Sequence, residues 1–435
     1  MTDLIIIGAG PGGYELALEA SKYNLSSILI EAKSLGGTCL NEGCIPTKAY
    51  YKNASFIKEL SLAKTLGVSL ESYQVDFETI KARKDQVVED LKKGIEFSLK
   101  KAGVQVINGY GKIIDKTHVQ VGEEIYEGKY IVIATGSSPI ILPGFENAID
   151  SSDLLDLTTP PQKLVIIGGG VIGIEMASIF NYFGSTVEVV EYADRIIPSA
   201  DKEISRRLLN YLKQQGIKIH LNSKALKFEN NQVEVETKGE KILLDADQVM
   251  VAVGRKPNLE GLGLDEVGIE YTRKGIVVDE DFKTNVDNIY AIGDATGKLM
   301  LAHYATYSGY RVLADILNQE RKINFNLVPG CVFTFPEVAY VGLTEDDCKD
   351  LNYKVHKGLY RANGKAVASL NTDGFIKIIT IDDIIKGVHI IGAEASVLIH
   401  EMSSLMNLNI TLSQFEDFIH AHPTLSEILT LTVKS

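Results

Sequence analysis

The chain repeats one pattern, a strand followed by a glycine turn and a helix, as "DLIIIGAGPGGYELALEA" from Asp3 and as "KLVIIGGGVIGIEMASIF" from Lys163. Each copy begins with an apolar, β-branched run, tightens through three glycines and continues with helical periodicity. Gly8, Gly10 and Gly13 lead to "SSILIE", ending in Glu31; Gly168, Gly170 and Gly173 lead to "TVEVVE", ending in Glu191, the same distance beyond the first glycine. The spacing has a physical reason. Glycines let backbone N–H groups approach a pyrophosphate at a helix N-terminus, where the dipole favours negative charge, and the acid accepts a hydrogen bond from an adenosine ribose. One copy alone suits a plain strand-to-helix turn as well. Two copies, each with its acid, demand an α/β chain with two Rossmann-like dinucleotide-binding domains. Glu191 would repel a 2′-phosphate and the next arginine is Arg195, so the second site prefers NAD(H) to NADP(H). The first must hold another dinucleotide.

Further short apolar strands run into glycine at "KYIVIATGSSP", with Gly136, and "DQVMVAVGRKPN", with Gly254, closing each dinucleotide unit. "NIYAIGDAT" adds one more, ending in Asp294. An acid at the carboxyl end of a parallel strand can meet a polyol or ribose hydroxyl, although alone it reads more simply as a helix cap. From Phe325 the pattern becomes alternating strands ("EVAYVGLT", "FIKIITID", "GVHIIGAE") mixed with helices such as "SVLIHEMSSLMNL", an α+β domain without a glycine fingerprint. The expected divisions are 1–145 and 276–324 for the first dinucleotide-binding domain, 146–275 for the second and 325–435 for the α+β domain. The Gly/Asn-rich stretch "YRANGKAVASLNTDG", residues 360–374, reads as a surface hairpin or loop with a scaffold role. With 435 residues there is ample apolar surface for these domains. The formal charge of −13, with no dense Lys/Arg cluster to offset it, excludes nucleic acid as a natural partner. "LIIIGAGPGG" is too short to span a bilayer and lacks a cationic leader, so a cytoplasmic protein without a cleaved leader or membrane attachment is expected.

Of the four cysteines, two stand five positions apart in "GGTCLNEGCIPTK", as Cys39 and Cys44. In a reducing compartment a close pair is more often catalytic or metal-binding than structural. Within one regular helix the two would be ~7.5 Å apart with side chains diverging, beyond the ~6.8 Å that a disulfide tolerates between Cα atoms. A bond would therefore need irregular chain between them, which Gly36, Gly37 and Gly43 permit. Pro46 points to a helix beginning there, with Cys44 at its N-terminus, where the thiolate is stabilised. Zinc is disfavoured because Cys331 and Cys348 lie far away in sequence and no close ligand pair accompanies them; those two read as buried thiols. Lys48, one turn beyond Cys44, could sit beside the thiolate or simply be solvated. Near the C-terminus, "HAHPTLSE" offers His422 and Glu427: Pro423 suits the first turn of a helix, and Glu427 could orient the imidazole as a base beside a thiol. His420 is the decoy to exclude.

In "GGTCLNEGCIPTK", in "HAHPTLSE" and in the order of motifs from residue 3 nearly to the end, the chain resembles the flavoprotein disulfide reductases, and among them the dihydrolipoamide dehydrogenases. The resemblance implies FAD at the first site, with Glu31 on its adenosine ribose and Asp294 near its ribityl chain, and NAD at the second. It implies that Cys39 is the interchange thiol and Cys44 the thiolate against the flavin, paired as a redox disulfide. Lys48 would lie near the flavin and pair with Glu175. His422, oriented by Glu427, would be the acid-base group, contributed across a homodimer interface built by the C-terminal domain. The implied partner is a lipoyl-bearing protein of a 2-oxo acid dehydrogenase complex or a glycine-cleavage system. Glutathione and mercuric reductases share the cysteine motif, but Glu191 opposes NADPH and the chain ends "LTVKS" where a mercuric reductase usually ends in a cysteine pair. NADH oxidases and transhydrogenases of similar fold usually lack one of the two cysteines. A non-catalytic flavoprotein that senses NAD(H) would be free to lose the thiols and the base, and this chain keeps all of them. One departure stands out: Ser308 precedes Gly309 where the family usually carries Glu.

Overall fold

A computed structural model describes residues 1–434, which divide into two compact units. The first gathers residues 1–49, 78–140 and 254–323 around a mainly parallel sheet. Its order runs Gln105–Asn108, Ser27–Glu31, Thr2–Ile7, Glu124–Ile133, Ile289–Ala291, all parallel. The near-continuous Ile/Leu/Val runs of these strands follow from burial on both faces. Ile5, Ile7, Ile28, Ile30, Ile131, Ile133 and Ile289 form one apolar cluster, each fully buried side chain contributing roughly 1.5–3 kcal/mol. Strand order puts the turns at Gly8, Glu31, Gly136 and Asp294 at the carboxyl ends of their strands, the edge where open α/β sheets bind ligands.

The second unit holds residues 50–77, 141–253 and 324 onward. A four-stranded parallel sheet, in the order Lys218–His220, Thr186–Val190, Lys163–Ile167, Gln248–Val251, carries the second glycine turn. A three-stranded antiparallel meander follows, and then a five-stranded antiparallel sheet ordered Gly330–Val332, Glu337–Gly342, Ile384–Gly392, Phe375–Ile381, Tyr353–Leu359. Helices Ala395–Asn407 and Glu427–Val433 bury Leu398, Ile399, Met402, Ile428 and Leu429 in the same core as Ile376, Ile378, Val388 and Ile390. The architecture is thus two Rossmann-like units plus an antiparallel α+β region.

Four local expectations change. The chain joins the first unit again at Gly254, ahead of residue 276, because Arg255–Pro257 pairs antiparallel with Ser137–Pro139 and Leu262, Leu264, Ile269 and Ile276 enter that unit's core. Residues 360–374 are no hairpin. Residues 360–368 make a short 3-10 turn, Tyr360–Ala362, and a helix, Gly364–Ala368, because Tyr360 is wholly buried and Asn363 caps the helix with its side chain, while residues 369–374 are the largely exposed turn and loop expected. Pro423 does not open a helix either: the last helix starts at Glu427, since the Glu427 carboxylate holds the preceding loop through the Thr424 N–H. The Ala302–Ile316 helix has Leu301, not Asp294, at its N-cap. Asp294 lies in the 3-10 turn Gly293–Thr296.

Candidate active site

In the first glycine turn, Gly8 adopts φ +107, where an added Cβ would lie 2.2 Å from the carbonyl oxygen of Ala134. A Cβ on Gly13 would meet the Gly8 carbonyl oxygen at 1.9 Å. Only glycine fits either position. The helix Pro11–Ser21 begins on Gly10 without a side-chain cap, so no side chain competes with an anion at its positive end. Glu31 Oε2 accepts the Ala9 N–H at 2.7 Å and Oε1 accepts the Lys33 N–H at 2.7 Å, which fixes the carboxylate at the mouth of the turn. The second turn repeats this. Gly168 has φ +112, with a Cβ 2.4 Å from Ala252 O, and the position at Gly170 is open. Helix Val171–Tyr182 is likewise uncapped. Glu191 accepts the Gly169 N–H at 2.5 Å and the Ala193 N–H at 2.6 Å. Both cradles fit the pyrophosphate and ribose of a dinucleotide.

The cysteine segment belongs to the first cradle. A Cβ on Gly37, whose φ is +56, would lie 2.7 Å from the Cα of Gly10, so the motif packs directly on the glycine turn. Asn41 locks the segment, its Nδ2 donating to Leu35 O at 2.9 Å and to Gly37 O at 2.8 Å. Cys39 sits in the short helix Gly37–Asn41 and Cys44 is the first residue of the helix Cys44–Leu60, so the chain between them is irregular. Neither is in a disulfide here. The Cys39 thiol is pushed well above the ordinary range, first by its hydrogen bond to Cys44, then by burial and the charge of Cys44, with Lys48 pulling the other way. Cys39 thus meets Cys44 at the start of that helix through a side-chain hydrogen bond.

Ser137 Oγ donates to Asp294 Oδ2 at 2.6 Å, while Arg255 reaches Ser137 through Nε on Oγ at 2.8 Å and Nη2 on the carbonyl at 2.7 Å. Burial lifts the Asp294 carboxyl above its usual range against the opposing pull of Ser137 and Arg255. Ser308 is wholly buried and donates to Tyr304 O at 2.7 Å, a bond internal to its own helix. Gly136 (φ +69) and Gly254 (φ +129) bracket the paired strands 137–139 and 255–257, with the Asn258 N–H on Gly136 O and the Ile140 N–H on Gly254 O.

In the second unit, Glu175 is buried and its Oε1 accepts the Phe333 N–H at 2.8 Å. His422 is largely exposed, and its Nδ1 lies 2.9 Å from Glu427 Oε1. Glu427 Oε2 takes the Thr424 N–H at 2.7 Å. That backbone bond, then His422, holds the Glu427 carboxyl below its usual range. His420 is engaged on both ring nitrogens, by Glu401 at 2.8 Å and Thr430 at 2.9 Å. One acidic group has metal-like spacing: Asp201, Glu203 and Glu345 converge. The wholly buried ammonium of Lys377 occupies their centre, 2.7 Å from Asp201, 2.8 Å from Glu203 and against Glu345. Sequence reasoning missed Asn41, Ser137, Arg255 and Phe333. The first three stand inside or beside the recognised glycine and cysteine motifs; Phe333 acts through its backbone and leaves no signal in residue type.

Residues 2–309 match the family described as pyridine nucleotide-disulphide oxidoreductase, and residues 328–433 match its dimerisation domain. A dihydrolipoyl dehydrogenase of Bacillus subtilis is 38% identical over 98% of this chain and 96% of its own. A leghemoglobin reductase of Vigna unguiculata is 39% identical over 98% of this chain and 86% of its own. Among solved structures, LpdA of Mycobacterium tuberculosis superposes with TM-score 0.92 at 27% identity, over 100% of this chain and 99% of that one. The copper complex of the HOCl-induced flavoprotein disulfide reductase RclA of Escherichia coli gives 0.89 at 30%, also over 100% and 99%. Among the described residues no helix is long and apolar enough to cross a membrane.

Proposed function

The chain belongs to the pyridine nucleotide-disulphide oxidoreductase family, and we propose that within it the protein is a dihydrolipoyl dehydrogenase, oxidising a protein-bound dihydrolipoyl dithiol with NAD⁺ as acceptor. The observation that carries this reading is the placement of the thiol pair: Gly37 packs on Gly10, so Cys39 and Cys44 are built onto the first dinucleotide cradle. Members of the family use FAD and a pyridine nucleotide. FAD would be held at the Gly8–Gly13 turn, with Glu31 for its ribose and Asp294 for its ribityl hydroxyls, and when bound would supply two-electron acceptance and hydride chemistry.

The chain's own residues do the rest. In the oxidised enzyme Cys39 and Cys44 form a disulfide. A substrate thiolate attacks Cys39, the S–S bond breaks, and Cys44 leaves as a thiolate stabilised by its helix N-terminus. The second substrate sulfur then attacks the mixed disulfide, and Cys39 leaves as the group that is protonated. The high proton affinity of Cys39 supports this division of labour. His422 takes the substrate proton on Nε2, since Nδ1 is engaged by Glu427. Glu191 at the second cradle selects NAD⁺ by excluding a 2′-phosphate. The protein acts as a homodimer through its C-terminal region, His422 of one subunit serving the thiols of the other, and its partner is a lipoyl-bearing protein.

Anaerobic titration of the purified protein with dihydrolipoamide and then NAD⁺ tests this. The expected course is reduction of the yellow flavin spectrum with a long-wavelength thiolate-to-flavin band, followed by reoxidation with NADH appearing. Bound flavin that ignores dihydrolipoamide yet is reduced by NADH would keep the family and refute the substrate. It would favour a disulfide reductase with another acceptor, a reading that the similarity to RclA and to leghemoglobin reductase supports.

A further inference from the structure

Asn363 lies in the stretch that reads as a surface loop, yet it is 2% exposed and both ends of its side-chain amide are engaged. Its Oδ1 accepts the Ala366 N–H at 2.9 Å, the ordinary task of a helix N-cap. Capping needs only that oxygen. The Nδ2 arm instead donates to the carbonyl of Thr424 at 3.0 Å, on the loop that carries His422. Thr424 is therefore gripped from both sides: its C=O by Asn363 and its N–H by Glu427 Oε2 at 2.7 Å. The other oxygen of Glu427 holds His422 Nδ1 at 2.9 Å. Thr424 Oγ1 adds a bond to Ala421 O at 2.8 Å, closing the loop on the residue before His422.

The imidazole itself is 79% exposed on its side chain, so packing does little to aim it. Its orientation depends on Glu427, and Glu427 can hold it only if the 421–426 segment stays in register. Asn363 is the buried side chain that ties this segment to a different part of the sheet region. It sits between the wholly buried Tyr360, whose hydroxyl donates to Ala393 O at 2.8 Å, and the buried Ala366. A partly exposed loop is thereby tied to the buried core.

We propose that Asn363 is a positioning residue for the acid-base imidazole, acting through Thr424 and Glu427 to keep His422 aimed at the dithiol. The proposal rests on the reading of His422 as the base. The test uses the full-length holoenzyme and compares Asn363→Ser, Asn363→Asp and His422→Gln. Serine and aspartate cap helices about as well as asparagine, so both keep the Ala366 bond and remove the donor to Thr424. Two activities are read: NAD⁺ reduction by dihydrolipoamide, which needs the base, and ferricyanide reduction by NADH, which needs only the two dinucleotide sites. A lost aim of the order of 1 Å costs up to about 100-fold, so both Asn363 variants should lose about 10- to 100-fold in dihydrolipoamide kcat. Their ferricyanide rate and flavin content should stay within about twofold of the parent, while His422→Gln loses about 10²- to 10⁴-fold in the first activity alone. The pH profile of dihydrolipoamide turnover should change in the Asn363 variants. Full dihydrolipoamide turnover in both Asn363 variants alongside a crippled His422→Gln would reduce Asn363 to a helix cap and overturn the proposal. An equal fall in both activities would overturn it too, as general destabilisation. Unimpaired His422→Gln would refute the base assignment itself, and this inference with it.

Discussion

Under the proposed function two side chains one short segment apart would carry the redox chemistry, and their inequality comes from position. Cys39 is partly buried and meets Cys44, which begins a helix, through a side-chain hydrogen bond. Cys39→Ser removes the sulfur that the substrate must attack, so dihydrolipoamide turnover should vanish while FAD content and melting temperature stay at parent values; residual full turnover would refute the exchange role. Ser137 is the second residue whose effect should be measurable. It presents a hydroxyl to Asp294 and is itself held by Arg255 at two points. Hydrogen bonds to charged groups contribute about 1.5–3 kcal/mol, so Ser137→Ala should release Asp294 and weaken FAD retention about tenfold or more, read from flavin loss on dilution. The motif letters at Cys39, Cys44, Glu31 and Glu191 are legible because the chemistry demands those residue types. Ser137 and Asn363 are illegible because what they contact lies more than fifty residues away in the chain.

At the scale of elements, the contact between the cysteine segment and the glycine turn is the tightest constraint. Gly37 combines a left-handed φ with a backbone neighbour that leaves no room for Cβ. Gly37→Ala should cost about 1–3 kcal/mol in backbone strain and displace the segment from Gly10, giving flavin-poor protein with a lowered visible-to-ultraviolet absorbance ratio. The strand, turn and helix pattern was legible here because period-2 and period-3.6 patterns and glycine placement are local properties. Residues 360–368 depart from the loop expected of them for the complementary reason: Gly and Asn are turn formers in isolation, but burial of Tyr360 and Ala366 turns the same letters into two short helices, and only 369–374 remain a loop. Pro423 was misassigned likewise. A proline suits a helix start, but Glu427, bonded to Thr424 and His422, decides where the last helix begins.

At the scale of the whole molecule, the second unit buries Lys377 of the antiparallel sheet against Asp201 and Glu203, at the start of the Lys202–Gln214 helix, and against Glu345. Burial pushes the Asp201 and Glu203 carboxyls up, but hydrogen bonds and charge from Lys377, with Lys357 on Glu203, outweigh it and leave both below their ordinary 3.8 and 4.5. Lys377→Met would leave three carboxylates together without that ammonium and should cost about 3–5 kcal/mol by denaturant unfolding. Because depressed carboxylates contribute stability above their unfolded values and lose it as pH falls through the folded ones, the gap between parent and variant should be full above about pH 4.5 and shrink below it. A homodimer with shared sites makes a separate prediction: co-expressed Cys39→Ser and His422→Gln chains, each inactive alone, should recover about a quarter of parent turnover, since half of random dimers carry one intact site. By itself the sequence determined the two dinucleotide turns, the thiol pair, the α+β end and the candidate base, because each is written in local periodicity or in residue types that chemistry cannot replace. Tertiary structure alone decided that Cys39 meets Cys44 through a hydrogen bond, that the chain joins the first unit again at Gly254, and that Asn363 bonds to the loop of His422. Those outcomes depend on burial and on hydrogen bonds between residues far apart in the chain, and no window of sequence contains both ends of such a contact.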